Sequence, residues 1–194
     1  LIILFDNYYL TSFPTLFLAS WIAVGTLQVS RKRNMGYWSF LRKRLSVTFA
    51  HLGMAILVLG VGVVSSYSLE KEVILAPGNS LDFGDQTIRF QSVNDSLGPN
   101  YFSKSAVIYF DDGENLSQLI TEKRTYSPSG QLTTEAGIKS DLFKDLYVSM
   151  GDNLDTDIWS FKIQIKPFIR WIWLGAIMIA IGSFLAGLKQ FRRI

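Results

Sequence analysis

The sequence predicts a membrane protein with three transmembrane α-helices and a small extracytoplasmic antiparallel β-domain, either a barrel or a sandwich. Three observations lead to this fold class. Three apolar windows of roughly 20 residues are each long enough to cross a hydrocarbon layer of about 30 Å. The acidic residues are concentrated between the second and third windows. That same region alternates apolar and polar residues, as half-buried strands do. The windows cover residues 10–29, 45–67 and 168–188.

The first predicted helix, over residues 10–29, is the least apolar of the three, and Pro14 falls in its first turn. Proline is tolerated there because the N–H that it lacks has no partner within the helix. The loop that follows, residues 30–44, carries basic residues and no acidic one: Arg31, Lys32, Arg33, Arg42, Lys43 and Arg44. Short loops rich in lysine and arginine stay cytoplasmic, so we expect a cytoplasmic loop with its aromatic side chains in the membrane interface.

The second predicted helix, over residues 45–67, is followed by an acidic region. Residues 68–167 hold 15 of the 16 acidic residues and nine of the 19 basic ones, which gives a net charge of −6. A second basic cluster follows the third helix and contains Lys189, Arg192 and Arg193. Because both basic clusters are expected to be cytoplasmic, the acidic region and the N-terminus are expected outside. The predicted organisation is residues 1–67 with two helices, an outer β-domain over 68–167, and residues 168–194 with the third helix and a cytoplasmic tail.

The outer region shows the alternation of apolar and polar residues most clearly over Trp159–Ile165. The other predicted strands are Glu72–Ala76, Thr87–Val93, Ala106–Phe110, Leu119–Tyr126 and Leu146–Met150. Turn sequences rich in Gly, Asp, Asn, Pro and Ser separate them, which favours an antiparallel barrel or sandwich. A short helix is expected only over Ile138–Lys144.

The third predicted helix, over residues 168–188, has a broad stripe of small side chains. It comprises Ala176, Ala180, Ser183 and Gly187 on one face, with Gly175, Gly182 and Ala186 beside it. Small residues let a second helix approach closely. The stripe fits assembly with helices outside this chain, and it equally fits packing onto the other two helices of the chain.

The composition excludes several kinds of chemistry. The chain has no cysteine and one histidine, which excludes disulfides, thiol chemistry, Cys/His zinc sites and a catalytic triad in the outer domain. The basic excess is explained by membrane orientation and by contact with anionic headgroups, so no nucleic-acid binding is expected. The sequence DDGEN, with Asp111, Asp112 and Glu114, offers carboxylates to calcium, but it lacks the EF-hand spacing and is typical of a hairpin turn.

His51, the only histidine, lies inside the second apolar window. It is six residues past Leu45, which places it about 9 Å from the cytoplasmic end of the span. Ionisable groups inside a membrane are functional candidates. Ala55, Val58 and Gly62 continue its helix face and are small enough to leave room for a flat group or a close helix. Three roles fit: an axial ligand of haem, a member of a proton relay, or a hydrogen-bond donor to a neighbouring helix.

The sequence resembles, over several separate segments, the last part of the CcmF family of membrane haem lyase subunits in cytochrome c maturation. The segments are, in order, TFAHLGMAILVLGVGVVSSY with EKEVILAPG, then GPNY, EKRTY, TEAGIKSDLFKDLYVSMGD and KPFIRWIWLGA. These segments lie within residues 45–186 and keep their order. The related NrfE proteins are similar over the same stretch, and the sequence does not separate the two.

The resemblance implies that His51 is one of two histidines that hold a membrane b-type haem, and that the other histidine lies outside this chain. The haem-transfer site also lies outside it, so no catalytic residue is expected here. The implied reaction, a haem lyase activity, joins haem carried by the chaperone CcmE to the CxxCH thiols of apocytochrome c, with quinol as an electron source. The implied location is the bacterial inner membrane, with a periplasmic domain and a cytoplasmic C-terminus.

The outer domain is expected to dock CcmE or the proteins CcmH and CcmI that present apocytochrome c, with Tyr101, Lys123 and Arg124 as candidate contacts. Alternatively, these residues shape a loop and a solvated strand edge. The alternative for the whole chain is a cofactor-free membrane scaffold whose β-domain docks other assembly proteins. Because the chain begins with Leu1 and not with methionine, and no signal peptide is evident, we expect it to belong to a longer polypeptide.

Overall fold

The structure, a computed structural model, describes the backbone of residues 7–31, 37–111, 113 and 115–191. Side chains are described for residues 12–28, 45–111, 113, 115–188 and 191. The chain divides into two compact units: Leu1–Ser68 together with Pro167–Ile194, and Leu69–Lys166. The described residues of the first unit are helical except for Ser68, Pro167 and Phe168, and the second unit is built of β-strands.

The helices of the described residues are α1 (Asn7–Arg31), α2 (Tyr37–Tyr67) and α3 (Ile169–Phe191). Two segments are long and apolar enough to cross a membrane, Leu45–Tyr67 in α2 and Ile169–Leu188 in α3. The described residues of α1 do not meet the same measure, so a membrane span over residues 10–29 stays a prediction. Because α2 begins at Tyr37, the second half of the expected loop is helical and continuous with the second span.

The basic residues that predict the orientation are only partly described. Lys32, Arg33, Arg192 and Arg193 lie outside the described residues. The same holds for the side chains of Arg31, Arg42, Lys43, Arg44 and Lys189. The orientation of the helices therefore stays a prediction from the sequence.

Helix α2 packs against α1 on one face and against α3 on the other, and glycines make both contacts close. A Cβ placed on Gly53 of α2 would lie 2.7 Å from the carbonyl oxygen of Gly175 in α3. A Cβ placed on Gly62 would lie 2.2 Å from Thr15 Oγ1 in α1. Positions 53 and 62 are nine residues apart, which places them on opposite faces of a helix. Glycine at both positions therefore allows a helix approach that larger side chains would prevent.

Only part of the small-residue stripe of α3 packs against another helix of this chain. Gly175 and Gly182 face α2, since a Cβ on Gly182 would lie 2.6 Å from the backbone nitrogen of Ala50. Ser183 is exposed, and among the described residues no atom lies within 4 Å of a Cβ placed on Gly187. One part of the stripe thus serves packing within this chain, and the other part is uncovered by the described residues.

The second unit contains, among the described residues, the strands β1 (Leu69–Leu75), β2 (Ser80–Phe83), β3 (Gln86–Leu97), β4 (Tyr101–Asp111), β5 (Leu116–Tyr126), β6 (Leu132–Glu135), β7 (Gly137–Ser140), β8 (Lys144–Asp155) and β9 (Ile158–Pro167). They form two sheets, with strand orders β1-β9-β8-β7 and β2-β3-β4-β5-β6. The strand pairs are antiparallel in both sheets. The domain is therefore a sandwich, which was one of the two predicted architectures.

The six strands predicted from alternation are all present, and each is longer than predicted. The prediction missed β2, β6 and β7, which have four residues each and are too short to show alternation. The helix predicted over Ile138–Lys144 is wrong. Residues Gly137–Ser140 pair with β8, with Ile138 opposite Tyr147, because pairing with a long neighbouring strand outweighs a short local pattern.

The core lies between the two sheets and uses every second residue of each strand. Ile88, Phe90, Ile108 and Phe110 from one sheet meet Val148, Met150, Phe161 and Ile163 from the other. The rings of Phe90 and Phe161 are 4.8 Å apart between centroids. This alternation of buried and exposed positions is the physical basis of the pattern seen in the sequence.

We expect Gly175→Ala to lower the free energy of unfolding by about 1–3 kcal/mol. The added Cβ would lie 2.6 Å from both Gly53 O and Leu57 N, which are backbone atoms that cannot turn away. SDS titration of the full chain in mixed micelles, followed by circular dichroism, measures the change. Gly187→Ala is the matched control in the same helix, and it should be neutral or stabilising by up to about 1 kcal/mol because alanine is the better helix former. Equal effects at the two positions would contradict the role given to Gly175.

Candidate functional site

His51 lies on an exposed apolar stripe of α2. Its ring is exposed in the described part of the chain. Val47, Met54 and Val61 are exposed as well, and their spacing returns to the same side of the helix. Val58 continues the stripe and is half-buried. The described parts of α1 and α3 therefore leave this side of α2 uncovered, with one imidazole among aliphatic and thioether groups.

Of the two expectations for the small residues near His51, the structure shows a close helix at Gly62. A Cβ placed on Gly62 would lie 2.2 Å from Thr15 Oγ1 of α1, and Ala55 is buried. The open space beside His51 lies toward Met54 and Val47.

Several hydroxyl groups in the helices donate hydrogen bonds within the chain, whereas the imidazole of His51 makes none to the described residues. In α1, Thr15 Oγ1 donates to Ser12 O at 2.9 Å, and Thr26 Oγ1 donates to Ile22 O at 2.7 Å. Among the described residues, the ring of His51 has no hydrogen bond. The role of donor to a neighbouring helix would therefore need a partner other than the described residues. The roles of haem ligand and of proton relay need a partner from outside in the same way.

Tyr101 and Arg124, two of the three candidate docking residues, form one cluster on the outer face of the larger sheet. The guanidinium of Arg124 lies over the ring of Tyr101, 4.6 Å from its centroid. The ring of Tyr126 is 5.4 Å from that of Tyr101. A Cβ on Gly98 would lie 2.3 Å from the Tyr101 ring, so glycine is required where this ring folds back over the turn between β3 and β4.

Two carboxylates hold Arg124 in place. Its Nε donates to Glu122 Oε2 at 2.8 Å, and its Nη1 lies 3.5 Å from Glu135 Oε1. Glu122 also accepts a hydrogen bond from the buried hydroxyl of Ser103 at 3.2 Å. The hydrogen bond from Arg124 lowers the pKa of Glu122 below its ordinary value, and the pKa of Arg124 is raised in turn. The cation of Arg124 is therefore used within the sheet, where it joins β5 to β6.

Lys123 lies on the opposite face of β5 and contacts the other sheet. Its Nζ donates to Gly151 O at 3.2 Å and to Asp152 Oδ1 at 2.5 Å, both in β8. This bond lowers the pKa of the Asp152 carboxyl. The structure thus brings Tyr101 and Arg124 together and separates Lys123 from them. Docking by these residues stays a prediction, and alanine at Lys123 or Arg124 would also remove contacts that hold strands together.

The DDGEN carboxylates, considered for calcium and expected to form a hairpin turn, are only partly described. Asp112 and Glu114 lie outside the described residues. Asp111 Oδ1 accepts a hydrogen bond from the backbone nitrogen of Gly113 at 2.8 Å, and Gly113 has a positive φ of 86°. This is a side-chain-capped turn, as the Asp-Gly sequence indicates. Among the described residues, no group of three or more His, Asp or Glu is placed to hold a metal ion.

Sequence reasoning missed a row of apolar side chains at one end of the sandwich, formed by Leu97, Phe102 and Leu132. Each residue taken alone is an ordinary exposed apolar residue, which carries no signal. Only the pairing register of β3 to β6 brings them together. The sequence signal that was available is Phe102 directly after the GPNY turn, at the start of a strand.

The comparisons with known proteins agree with the fold. The family model described as the CcmF C-terminal beta-sandwich matches residues 66–167. The cytochrome c-type biogenesis protein CcmF of Pseudomonas aeruginosa is 33% identical over 171 residues, which are 88% of this chain and 25% of that protein. The CcmF of Escherichia coli is 35% identical over 176 residues, which are 87% of this chain and 26% of that protein. The chain spans about a quarter of the length of these curated relatives.

NrfE and a solved structure are also similar. The cytochrome c-type biogenesis protein NrfE of Haemophilus influenzae is 29% identical over 190 residues, which are 95% of this chain and 28% of that protein. The solved structure of cytochrome c haem lyase CcmF matches with a TM-score of 0.71 and 21% identity, covering 95% of this chain and 33% of that one. At this identity the structural match supports the fold alone.

We expect the bond between Glu122 and Arg124 to make stability depend on pH. Because the folded-state pKa of Glu122 is lowered, the bond stabilises the fold above the ordinary pKa of 4.5. That stabilisation is lost as the pH falls through the lower, folded-state pKa. Glu122→Gln should therefore lower the thermal midpoint at pH 7 and flatten its fall in acid. The measurement is thermal unfolding of the purified full chain between about pH 7 and pH 3.

Arg124→Gln and the double variant complete a thermodynamic cycle for this prediction. If the two groups act through each other, the double variant is no less stable than the more destabilised single variant. Fully additive losses would show that the two side chains stabilise the fold independently.

Proposed function

The chain belongs to the CcmF family of cytochrome c-type biogenesis proteins, and on that premise we propose that it forms the C-terminal membrane and β-sandwich region of a haem lyase subunit. In this proposal His51 supplies one axial ligand of a b-type haem, and a histidine outside this chain supplies the other. The observation that carries the proposal is the position of His51, an exposed imidazole on the uncovered apolar side of α2. The haem-transfer site belongs to the rest of the protein.

The residues around His51 fit a haem. Neutral imidazole is the ligating form, and the ring has a nitrogen that no described residue uses. Val47, Met54 and Val61 would offer an apolar wall beside the ligand, as a porphyrin face requires. When bound, such a haem supplies one-electron reduction of the iron that is attached to apocytochrome c. The depth of His51, about 9 Å from the start of the apolar segment at Leu45, suits electron transfer from a membrane quinol more than delivery of haem to the outer face.

The β-sandwich is proposed to lie in the periplasm of a bacterial inner membrane, with a cytoplasmic C-terminus. There it would dock the haem chaperone CcmE, or CcmH and CcmI with apocytochrome c. The net charge of −6 over residues 68–167, between two basic clusters, supports this orientation.

Helix α1 is proposed to be the third membrane span, although it is less apolar than the other two. Ser12 and Ala19 are buried and Thr15 is partly buried, and Thr15 contacts α2. Phe13, Phe17, Trp21, Val24 and Leu27 are exposed on the remaining surface. Ser20 and Gln28 are exposed as well, and the hydroxyl of Ser20 donates to Leu16 O of its own helix at 2.7 Å. Because most of the exposed side chains of α1 are apolar, its outer surface is compatible with lipid.

His51→Ala is expected to abolish the b-type haem signal. The test uses a chimera in which this chain replaces the matching quarter of the Pseudomonas aeruginosa CcmF, so that a second ligand is present. Reduced-minus-oxidised absorption spectra of membranes with equal amounts of protein measure the haem. Val61→Ala on the same stripe is the matched control and should retain most of the signal.

An unchanged signal in His51→Ala would overturn the assignment of His51. The absence of any haem signal in the unmodified chimera, with the protein present in the membrane, would favour the cofactor-free scaffold. In that case His51 would be left with a role in helix packing.

The orientation can be tested by single cysteines, since the chain has none of its own. We expect Ser129→Cys, in the turn between β5 and β6, to react with a membrane-impermeant maleimide in intact spheroplasts. Gln190→Cys, near the end of α3, should react only after the membrane is permeabilised. The reverse pattern would overturn the periplasmic placement of the sandwich, and reaction at both sites would contradict the membrane arrangement.

A further inference from the structure

The pairing register lines up apolar side chains at one end of the sandwich. Leu97 of β3 pairs with Phe102 of β4, Phe102 pairs with Thr125 of β5, and Thr125 pairs with Leu132 of β6. Directly paired residues point to the same face of a sheet. Leu97, Phe102 and Leu132, with Thr125 between the last two, therefore lie in one row across four strands, and we call these three apolar side chains the apolar row. It lies at the end where β3 turns into β4 and β5 turns into β6, which we call the free end.

The apolar row is not part of the core. Leu97 is 86% exposed, Leu132 is 61% exposed and Phe102 is 41% exposed. On the same face, the next row toward the core is ionic and contains Lys104 and Lys123. A row of charges therefore separates the exposed apolar side chains from the buried ones, so packing of this domain does not account for them.

The charge left over at the free end is negative. Lys123 binds Gly151 O and Asp152, which brings the end of β8 to the end of β5. Lys104 is paired with Asp95 at 2.8 Å, so both lysines of the ionic row are neutralised. The turn from β8 to β9 adds Asp155 and Asp157, both exposed and without an ion pair in the described part of the chain. The apolar row thus lies at an acidic end of the domain.

The free end also has an unpaired strand edge. Strand β6 is the last strand of its sheet and pairs with β5 on one side, over Glu122–Thr125. In the described residues no strand pairs with its other side. The backbone N–H and C=O groups of such an edge can pair with an extended segment that arrives at Leu132. Because a strand added there would be three strand spacings, about 14 Å, from Phe102, edge pairing alone does not cover the rest of the apolar row.

We propose that the free end binds an extended, basic segment of a partner polypeptide. An extended segment presents alternate side chains to opposite faces. Lying across the strands along the apolar row, it would place apolar side chains on Leu97, Phe102 and Leu132, and its lysines or arginines would lie toward Asp155 and Asp157. This inference deepens the proposed function and rests on it, since it names the surface and the chemistry by which the β-sandwich docks a polypeptide. It differs from docking through Lys123 and Arg124, whose charges are already used inside the domain.

The experiment uses the full chain in phosphatidylcholine nanodiscs, with empty nanodiscs as the blank. The probe is a short fluorescein-labelled peptide that alternates lysine with valine, and its counterpart alternates glutamate with valine. Fluorescence anisotropy measures the dissociation constant. We expect the chain to bind the lysine peptide and to bind the glutamate peptide at least about tenfold more weakly, with a preference that falls as salt is raised.

Two sets of variants locate the surface. Leu97→Ser with Leu132→Ser should weaken binding of the lysine peptide about tenfold or more, and both side chains are exposed enough for the fold to survive. Leu116→Ser is the matched control, because Leu116 is 70% exposed at the opposite end of β5, and it should leave binding unchanged. Asp155→Asn with Asp157→Asn should remove the preference for lysine. Asparagine tolerates the positive φ of 61° at position 157.

Absence of binding to the lysine peptide would overturn the proposal. Equal binding of the two peptides, or unchanged binding by the serine variant, would overturn it as well. The haem spectrum of the chimera with both serine substitutions separates this inference from the proposed function. If the serine variant keeps its haem and no longer binds the peptide, the proposed function and this inference are both supported. If His51→Ala loses its haem and the unmodified chain does not bind the peptide, only the proposed function is supported.

Discussion

The close approach of α2 to α3, backbone against backbone, is the constraint on which the arrangement of the helices depends. Gly53 and Gly60 of α2 are seven residues apart, and so are Gly175 and Gly182 of α3, so each pair returns to one face after two turns. One face of α2 packs against α3, and Gly62 on the opposite face packs against α1. His51 lies eleven residues before Gly62 and therefore on nearly the same side of α2. Its ring is exposed, so the described part of α1 covers this side at Gly62 and leaves it open at His51.

Much of the sandwich was predictable from the sequence because one face of each long strand is buried. Trp159, Phe161, Ile163 and Ile165 alternate in the sequence and are all buried in the structure. The four-residue strands β2, β6 and β7 were not predictable in this way, because they form only where a longer strand pairs with them. The register between strands could not be predicted from the sequence either, and the apolar row is recognisable only once that register is known.

At the candidate sites, residue chemistry indicated which positions to consider but not the surroundings of those positions. A lone histidine in an apolar helix was recognisable as a candidate, whereas the side of α2 that stays open depends on contacts with α1 and α3. Lys123 and Arg124 are neighbours in the sequence and look like one basic patch. Because successive strand residues point to opposite faces, Lys123 contacts β8 and Arg124 stacks on Tyr101.

The contact between Gly53 and Gly175 joins residues that are 122 positions apart in the chain. In the proposed bacterial setting, a ribosome adding 5–20 residues per second would need roughly 6–24 s to reach the second glycine after the first. During that interval α2 has no α3 to pack against, and strand β1 has no β9 to pair with, since Leu69 pairs with Ile165. During biogenesis the glycine face of α2 would thus be transiently open to lipid or to an insertase. The side of α2 that carries His51 is left uncovered by the described part of α3, so its exposure does not depend on the synthesis of that helix.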